Sequence, residues 1–107
     1  MRPKTRIRDQ DLDAIIEAFR KNFGPQDQLW LFGSRLDLER RGGDIDLYIE
    51  TNLSLDEAYK KRTRFVVDMW NKIGEQKIDV MLNVVSGSEN EELPMYTKIK
   101  IKGVQLV

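Results

Sequence analysis

Asp44 to Glu50 reads D-I-D-L-Y-I-E, and this alternation constrains the fold more than any other stretch of the chain. Successive side chains on a strand point to opposite sides, so Ile45, Leu47 and Ile49 share one face and Asp44, Asp46 and Tyr48 the other. Such a strand needs a sheet with one packed face and one polar face. Aspartate is depleted in strands, and acids spaced about 6.5–7 Å apart on one face repel each other. The pattern makes sense chiefly if a cation sits between them.

The segments around it alternate between helix and strand. Leu12, Ile15, Ile16, Phe19 and Phe23 recur at helical spacing after Asp9, the expected N-cap, and Gly24-Pro25 stops the pattern. Asp27 to Phe32 is apolar on both faces and predicts a buried strand, with Gly33-Ser34 at its end and a short charged helix starting there. Arg41-Gly42-Gly43 turns the chain back into the acidic strand. The longest helical pattern follows "TNLSLDE", with Leu55, Ala58, Tyr59, Phe65, Val66, Met69, Trp70 and Ile73 in a stripe and Gly74 as C-cap. Lys60, Lys61, Arg62 and Arg64 lie largely off that stripe and read as its wet face. Lys77 to Leu82 predicts a third strand, with Ile78, Val80 and Leu82 on one face and Asp79 on the other. A polar turn through Gly87 leads to a last helix near Glu91 to Lys102, closed by Gly103. Trp30 and Trp70 are assigned to the core.

Composition then removes whole classes of chemistry. With no cysteine, disulfides, thiolate nucleophiles and cysteine zinc sites are excluded; with no histidine, the usual general base and transition-metal ligand are missing. Carboxylates and hard cations remain. The 18 basic and 18 acidic residues cancel, so no global field draws the chain to nucleic acid or an anionic membrane, and no direct nucleic-acid binding is expected. No apolar run approaches the roughly 20 residues of a membrane span, and the basic start lacks the apolar region of a signal peptide. A cytoplasmic location is the expectation. At 107 residues the chain is expected to form a single domain, residues 1–107, with one modest core.

A neighbouring strand can bring Asp79 to the face that holds Asp44 and Asp46. Three carboxylates with no nitrogen or sulfur donor point to Mg²⁺ or Mn²⁺, either one ion or a pair about 3.5–4 Å apart that bridges triphosphate oxygens. A phosphate-binding element is then expected nearby. Gly33-Ser34 supplies one: glycine lets the backbone approach, and helix N-terminal amides and the Ser34 hydroxyl can donate to phosphate oxygens. Arg35, Arg40 and Arg41 are close enough in sequence to complete the clamp. Tyr48, on the acidic face, is a candidate for stacking on a base or ribose.

Gly33-Ser34, the nine residues to Gly43, the D-I-D-L that follows and the later K-I-D-V-M-L together resemble the nucleotidyltransferase signature of the polymerase-beta-like superfamily. The chain is similar in particular to its minimal nucleotidyltransferases, whose motifs and closing "YTKIKIKGVQL" account for nearly its whole length. The resemblance implies an α/β (α+β) fold, with a small mixed sheet backed by helices on one face and an open acidic face, as in a polymerase-beta palm. It matches Gly33 and Ser34 to the triphosphate-binding pair, Asp44 and Asp46 to the metal-binding acids, and Asp79 to the third acid, a catalytic base or metal ligand. It assigns no role to the arginines of the loop.

The activity implied is Mg²⁺-dependent transfer of AMP from ATP to a hydroxyl, with release of pyrophosphate. Many small members are paired with a helical HEPN-type ribonuclease toxin, which the transferase, as antitoxin, inactivates by adenylylation. The chain is short for a separate acceptor-binding domain, so a partner protein or a homodimer mate would present the acceptor. Two other readings remain open from sequence: an antitoxin that neutralises its partner by docking without catalysis, and an enzyme acting on a small molecule such as an aminoglycoside.

Overall fold

The computed structural model describes residues 7–33, 45–85 and 94–107. Within them the order is α1 (Asp9–Asn22), β1 (Gln28–Phe32), β2 (Ile45–Thr51), α2 (Leu55–Ile73), β3 (Ile78–Val84), α3 (Pro94–Lys102) and β4 (Val104–Gln105). The predicted turn at Arg41 to Gly43, the charged helix from Ser34, the turn at Gly87 and the start of the last helix at Glu91 lie outside the described residues.

The four strands form one mixed sheet in the order β3-β2-β1-β4. β1 runs antiparallel to both β2 and β4, whereas β3 runs parallel to β2. A parallel pair cannot be joined by a hairpin, and α2 is the connection that carries the chain from one end of β2 back to the start of β3. The α+β architecture is therefore the one the alternating segments predict.

Alternation decides which side chains meet. Leu29, Leu31, Ile45, Leu47 and Ile49 lie on one face and are buried against Leu12, Ile15, Phe19, Phe65 and Met69 of α1 and α2. Phe19 stacks on Phe23 with centroids 5.0 Å apart, and both meet Phe65 edge-on. Asn22 pins the two helices together: its amide donates to Ala18 O and to Asp68 Oδ2, both at 2.8 Å. Nearby, Lys72 Nζ stands 2.9 Å from Glu17 Oε1.

Helix ends follow local chemistry. Ser54 caps α2 by accepting from the Glu57 N–H at 3.3 Å, and Gly74 ends it at φ 86°, a left-handed value that suits glycine. The N-cap of α1 is Arg8 and not Asp9; Asp9 and Asp11 occupy the first turn, where their charges favour the helix dipole.

Three expectations are corrected. The second sheet face is not left wholly open, because α3 packs on it: Ile99 is buried with Trp30 and Tyr48, against Phe32, Met81 and Tyr96. Trp30 is core as expected, whereas Trp70 is 38% exposed and donates its indole N–H to Gln76 O at 2.9 Å. The stripe on α2 is also wider than its burial; Ala58, Phe65 and Met69 are buried, but Leu55 and Tyr59 are exposed.

Candidate functional site

The end of β1, the start of β2 and the start of β3 converge because of their register. Phe32 pairs with Asp46, and Asp46 pairs with Asp79, so Gly33 follows directly on a residue adjacent to the acid. Partners on neighbouring strands point to the same side and stand about 4.8 Å apart along the hydrogen-bonding direction. The carboxylates of Asp46 and Asp79 therefore share a face and an end of the sheet. Asp46 is half-buried and Asp79 exposed.

Gly33 is tied to Asp46 more closely than adjacency requires. Its φ is 81°, and a Cβ built on it would overlap Asp46 Oδ2 and stand 3.0 Å from Asp46 Cγ. Only glycine combines that backbone conformation with that approach. The glycine of the sequence motif thus makes room for the acid of the motif, a link that spacing alone does not reveal.

Of the other predicted site residues, Ser34, Arg35 and Asp44 lie outside the described residues, as do Arg40 and Arg41. Among the described residues this end of the sheet offers two carboxylates, those of Asp46 and Asp79, and no group of three possible ligands; the chain has no histidine or cysteine. Two parallel carboxylates repel in the absence of a counter-charge, and oxygen-only donors match a hard divalent cation. Asp46 and Asp79 fit such an ion.

Tyr48 does not fit the role of a stacking platform for a nucleotide. It is fully buried, with Trp30 5.4 Å away on one side and Tyr96 stacked 5.2 Å away on the other. Its hydroxyl donates to Glu50 Oε2 at 2.6 Å and accepts from Asn83 Nδ2 at 3.1 Å. Lys100 of α3 completes the cluster, 3.1 Å from Glu50 Oε2 and 5.4 Å from the Trp30 ring centre. Sequence reading missed Glu50, Asn83 and Lys100. The signal for the first two was present, since Glu50 and Asn83 each lie four residues beyond an acid and hence on its face.

The second face is consequently divided. At one end α3 and the Tyr48 cluster seal it, and at the other Gly33, Asp46 and Asp79 meet with Asp79 open to solvent.

A family model described as "Nucleotidyltransferase domain" matches residues 12–104, a span that includes all three of these residues. No curated protein matches the chain. No described helix is long and apolar enough to cross a membrane.

Proposed function

Since this chain belongs to the nucleotidyltransferase domain family of the polymerase-beta-like superfamily, whose chemistry is nucleotidyl transfer from a nucleoside triphosphate, we propose that it transfers AMP from ATP to a hydroxyl of a partner protein. The partner is a HEPN-type ribonuclease toxin, and the chain is its antitoxin. The observation that carries the transfer chemistry is the convergence of Gly33, Asp46 and Asp79 on one sheet end, and the choice of partner rests on the resemblance to the minimal nucleotidyltransferases.

In this reading Asp46 and Asp79, joined by Asp44, hold Mg²⁺ or Mn²⁺. When bound, the ion neutralises phosphate charge and stabilises the charge that develops on the transferring and leaving oxygens. The chain's own groups do the rest. Gly33 lets backbone come close to the triphosphate, and Ser34 and Arg35 donate hydrogen bonds to its β and γ oxygens. Asp79, the exposed acid, takes the proton from the acceptor hydroxyl as its oxygen attacks the α-phosphorus. A bond forms between that oxygen and phosphorus, the bond to the β-phosphate oxygen breaks, and pyrophosphate leaves with the electron pair. Asp46 is half-buried, with its carboxylate lying against Gly33.

The test is to incubate the protein with Mg²⁺ and α-labelled ATP in an extract of its own cells, beside an Asp46→Asn control. Label on one protein band only with the intact acid is the expected result, and the mass of that band identifies the acceptor. Label on a small molecule replaces the acceptor. Absence of transfer and of ATP binding, also with a purified partner added, rejects the catalytic reading in favour of docking.

A further inference from the structure

Among the described residues β3 is an edge strand with no strand paired to its outer side. Ile45 N–H donates to Lys77 O at 3.0 Å and Val85 N–H to Thr51 O at 2.9 Å, which fixes the phase of the parallel ladder. In such a ladder, residues alternate between turning both backbone groups toward the neighbour and turning both away. Lys77, Asp79, Met81, Asn83 and Val85 therefore face β2, and Ile78, Val80, Leu82 and Val84 face outward. None of those four has a hydrogen-bond partner on that outer side among the described residues. Natural edge strands are commonly short or guarded by lysine, proline or a bulge. β3 runs seven residues, I-D-V-M-L-N-V, with no lysine or proline and with Asp79 as its one charge.

A second feature lies on the same side. Across the buried line of Ala58, Phe65 and Met69, α2 turns one flank to α1 through Asp68 and Lys72. At about 3.6 residues per turn, Leu55, Tyr59, Val66, Trp70 and Ile73 form the opposite flank, together with Arg62, whose guanidinium lies 4.7 Å from the centre of the Tyr59 ring. Trp70 lies by the link into β3, bonded to Gln76 O, and Val66 and Ile73 pack in the same core as Ile78, Val80 and Leu82. Leu55 is 56% exposed and Tyr59 46%. A strand edge unpaired among the described residues and a largely apolar, partly exposed helix flank thus border the same side of the molecule.

We propose that two copies of this chain join here, β3 against β3 in antiparallel sense, with Met81 on the two-fold axis and the sheet continuing through eight strands. The sequence is self-complementary in that register. Val80 opposes Leu82 of the second copy and Ile78 opposes Val84, so every outward N–H and C=O gains a partner and each such pair is apolar. On the other face Asp79 opposes Asn83, an amide that can donate to it, and no two like charges meet. A two-fold axis perpendicular to the sheet keeps both copies of α2 on one face, where their apolar flanks approach each other. Both candidate sites then open on the opposite face, with the two Asp79 residues about 14 Å apart. The inference rests on β3 and α2 and is independent of the transfer reaction.

The absence of cysteine makes the register directly testable. Met81 faces β2, so Met81 against Met81 is a non-hydrogen-bonded pair with Cα atoms about 4.5 Å apart, within disulfide reach. Sedimentation of the unaltered full chain is expected to give twice 12.6 kDa. On mild oxidation Met81→Cys is expected to convert to a covalent dimer, whereas Asn83→Cys, offset by four residues from its copy, is not. Trp70→Glu, on the exposed flank, is expected to shift the mass toward the monomer with an unchanged circular dichroism spectrum. A monomer at all accessible concentrations overturns the proposal, as does a dimer in which N83C cross-links as fast as M81C or W70E leaves the mass unchanged.

Discussion

The Asp46 carboxylate occupies the space that a side chain on Gly33 would take. The two residues are brought together by the β1–β2 register, and each restricts the other: Gly33 cannot gain a Cβ while Asp46 keeps its position. Gly33→Ala is therefore expected to be costly twice over. The left-handed backbone alone costs roughly 1–2 kcal/mol with a Cβ, and Asp46 must also move. Urea unfolding would show a loss at the upper end of that range or beyond, and AMP transfer by the folded fraction would fall sharply. Unchanged transfer by G33A would separate the glycine from the chemistry.

Asp79→Asn separates catalysis from stability. Asp79 is exposed, so its replacement is expected to change the stability of the metal-free protein by no more than about 0.5 kcal/mol, and the melting temperature in chelator is expected to hold. Transfer is expected to drop by about 100-fold or more, the usual scale for loss of a general base. Mg²⁺ should stabilise the native chain more than the D79N chain. Thermal melts with and without Mg²⁺, beside a transfer assay, check all three.

Tyr48→Phe is expected to do the reverse. Its hydroxyl bonds Glu50 and Asn83 in a sealed cluster, so deletion leaves both short of a partner at a cost of about 1–3 kcal/mol. Because the ring is fully buried between Trp30 and Tyr96, transfer per folded molecule is expected to be unchanged. A rise in KM for ATP without loss of stability would return Tyr48 to the nucleotide site.

Lys72 holds the Glu17 carboxyl below its ordinary value, first through their hydrogen bond and then through charge. A carboxyl depressed on folding adds stability above its unfolded pKa and loses that addition as pH falls through the folded value. Lys72→Met should raise the Glu17 pKa in an NMR titration and make stability slightly less dependent on pH in the acid range. Glu17 is fully exposed, so the effect is small.

The sheet and the described part of the candidate site were legible in the sequence for one reason, namely that alternation of two residues assigns faces without knowledge of neighbours. It placed Asp46 and Asp79 on the polar side of their strands, and the register set them side by side. What alternation cannot give is which helix covers which face. Pro94–Lys102 has almost no amphipathic signal, because its contacts are spread over Tyr96, Ile99 and Lys100, and so its docking over Tyr48 was not foreseen. Trp70 fails for a related reason: its position on the stripe was read correctly, but the stripe extends past the edge of the sheet that could bury it. The close approach of Gly33 to Asp46 was also invisible, since it depends on a backbone angle and not on residue type.

In a lone copy, and among the described residues, Asp79 sits on a strand fastened on one side only, and Asp46 sits on the strand that fastens it. Opening of β3 breaks a single ladder and leaves the α1–α2 core against β1 and β2 in place, so it requires less free energy than global unfolding. Each opening carries one acid away from the other. Catalytic competence is therefore expected to fade on warming before the helical signal does, and hydrogen exchange along β3 would time the lapses. A lone copy would lose the proposed activity by fraying while remaining, by most other measures, folded.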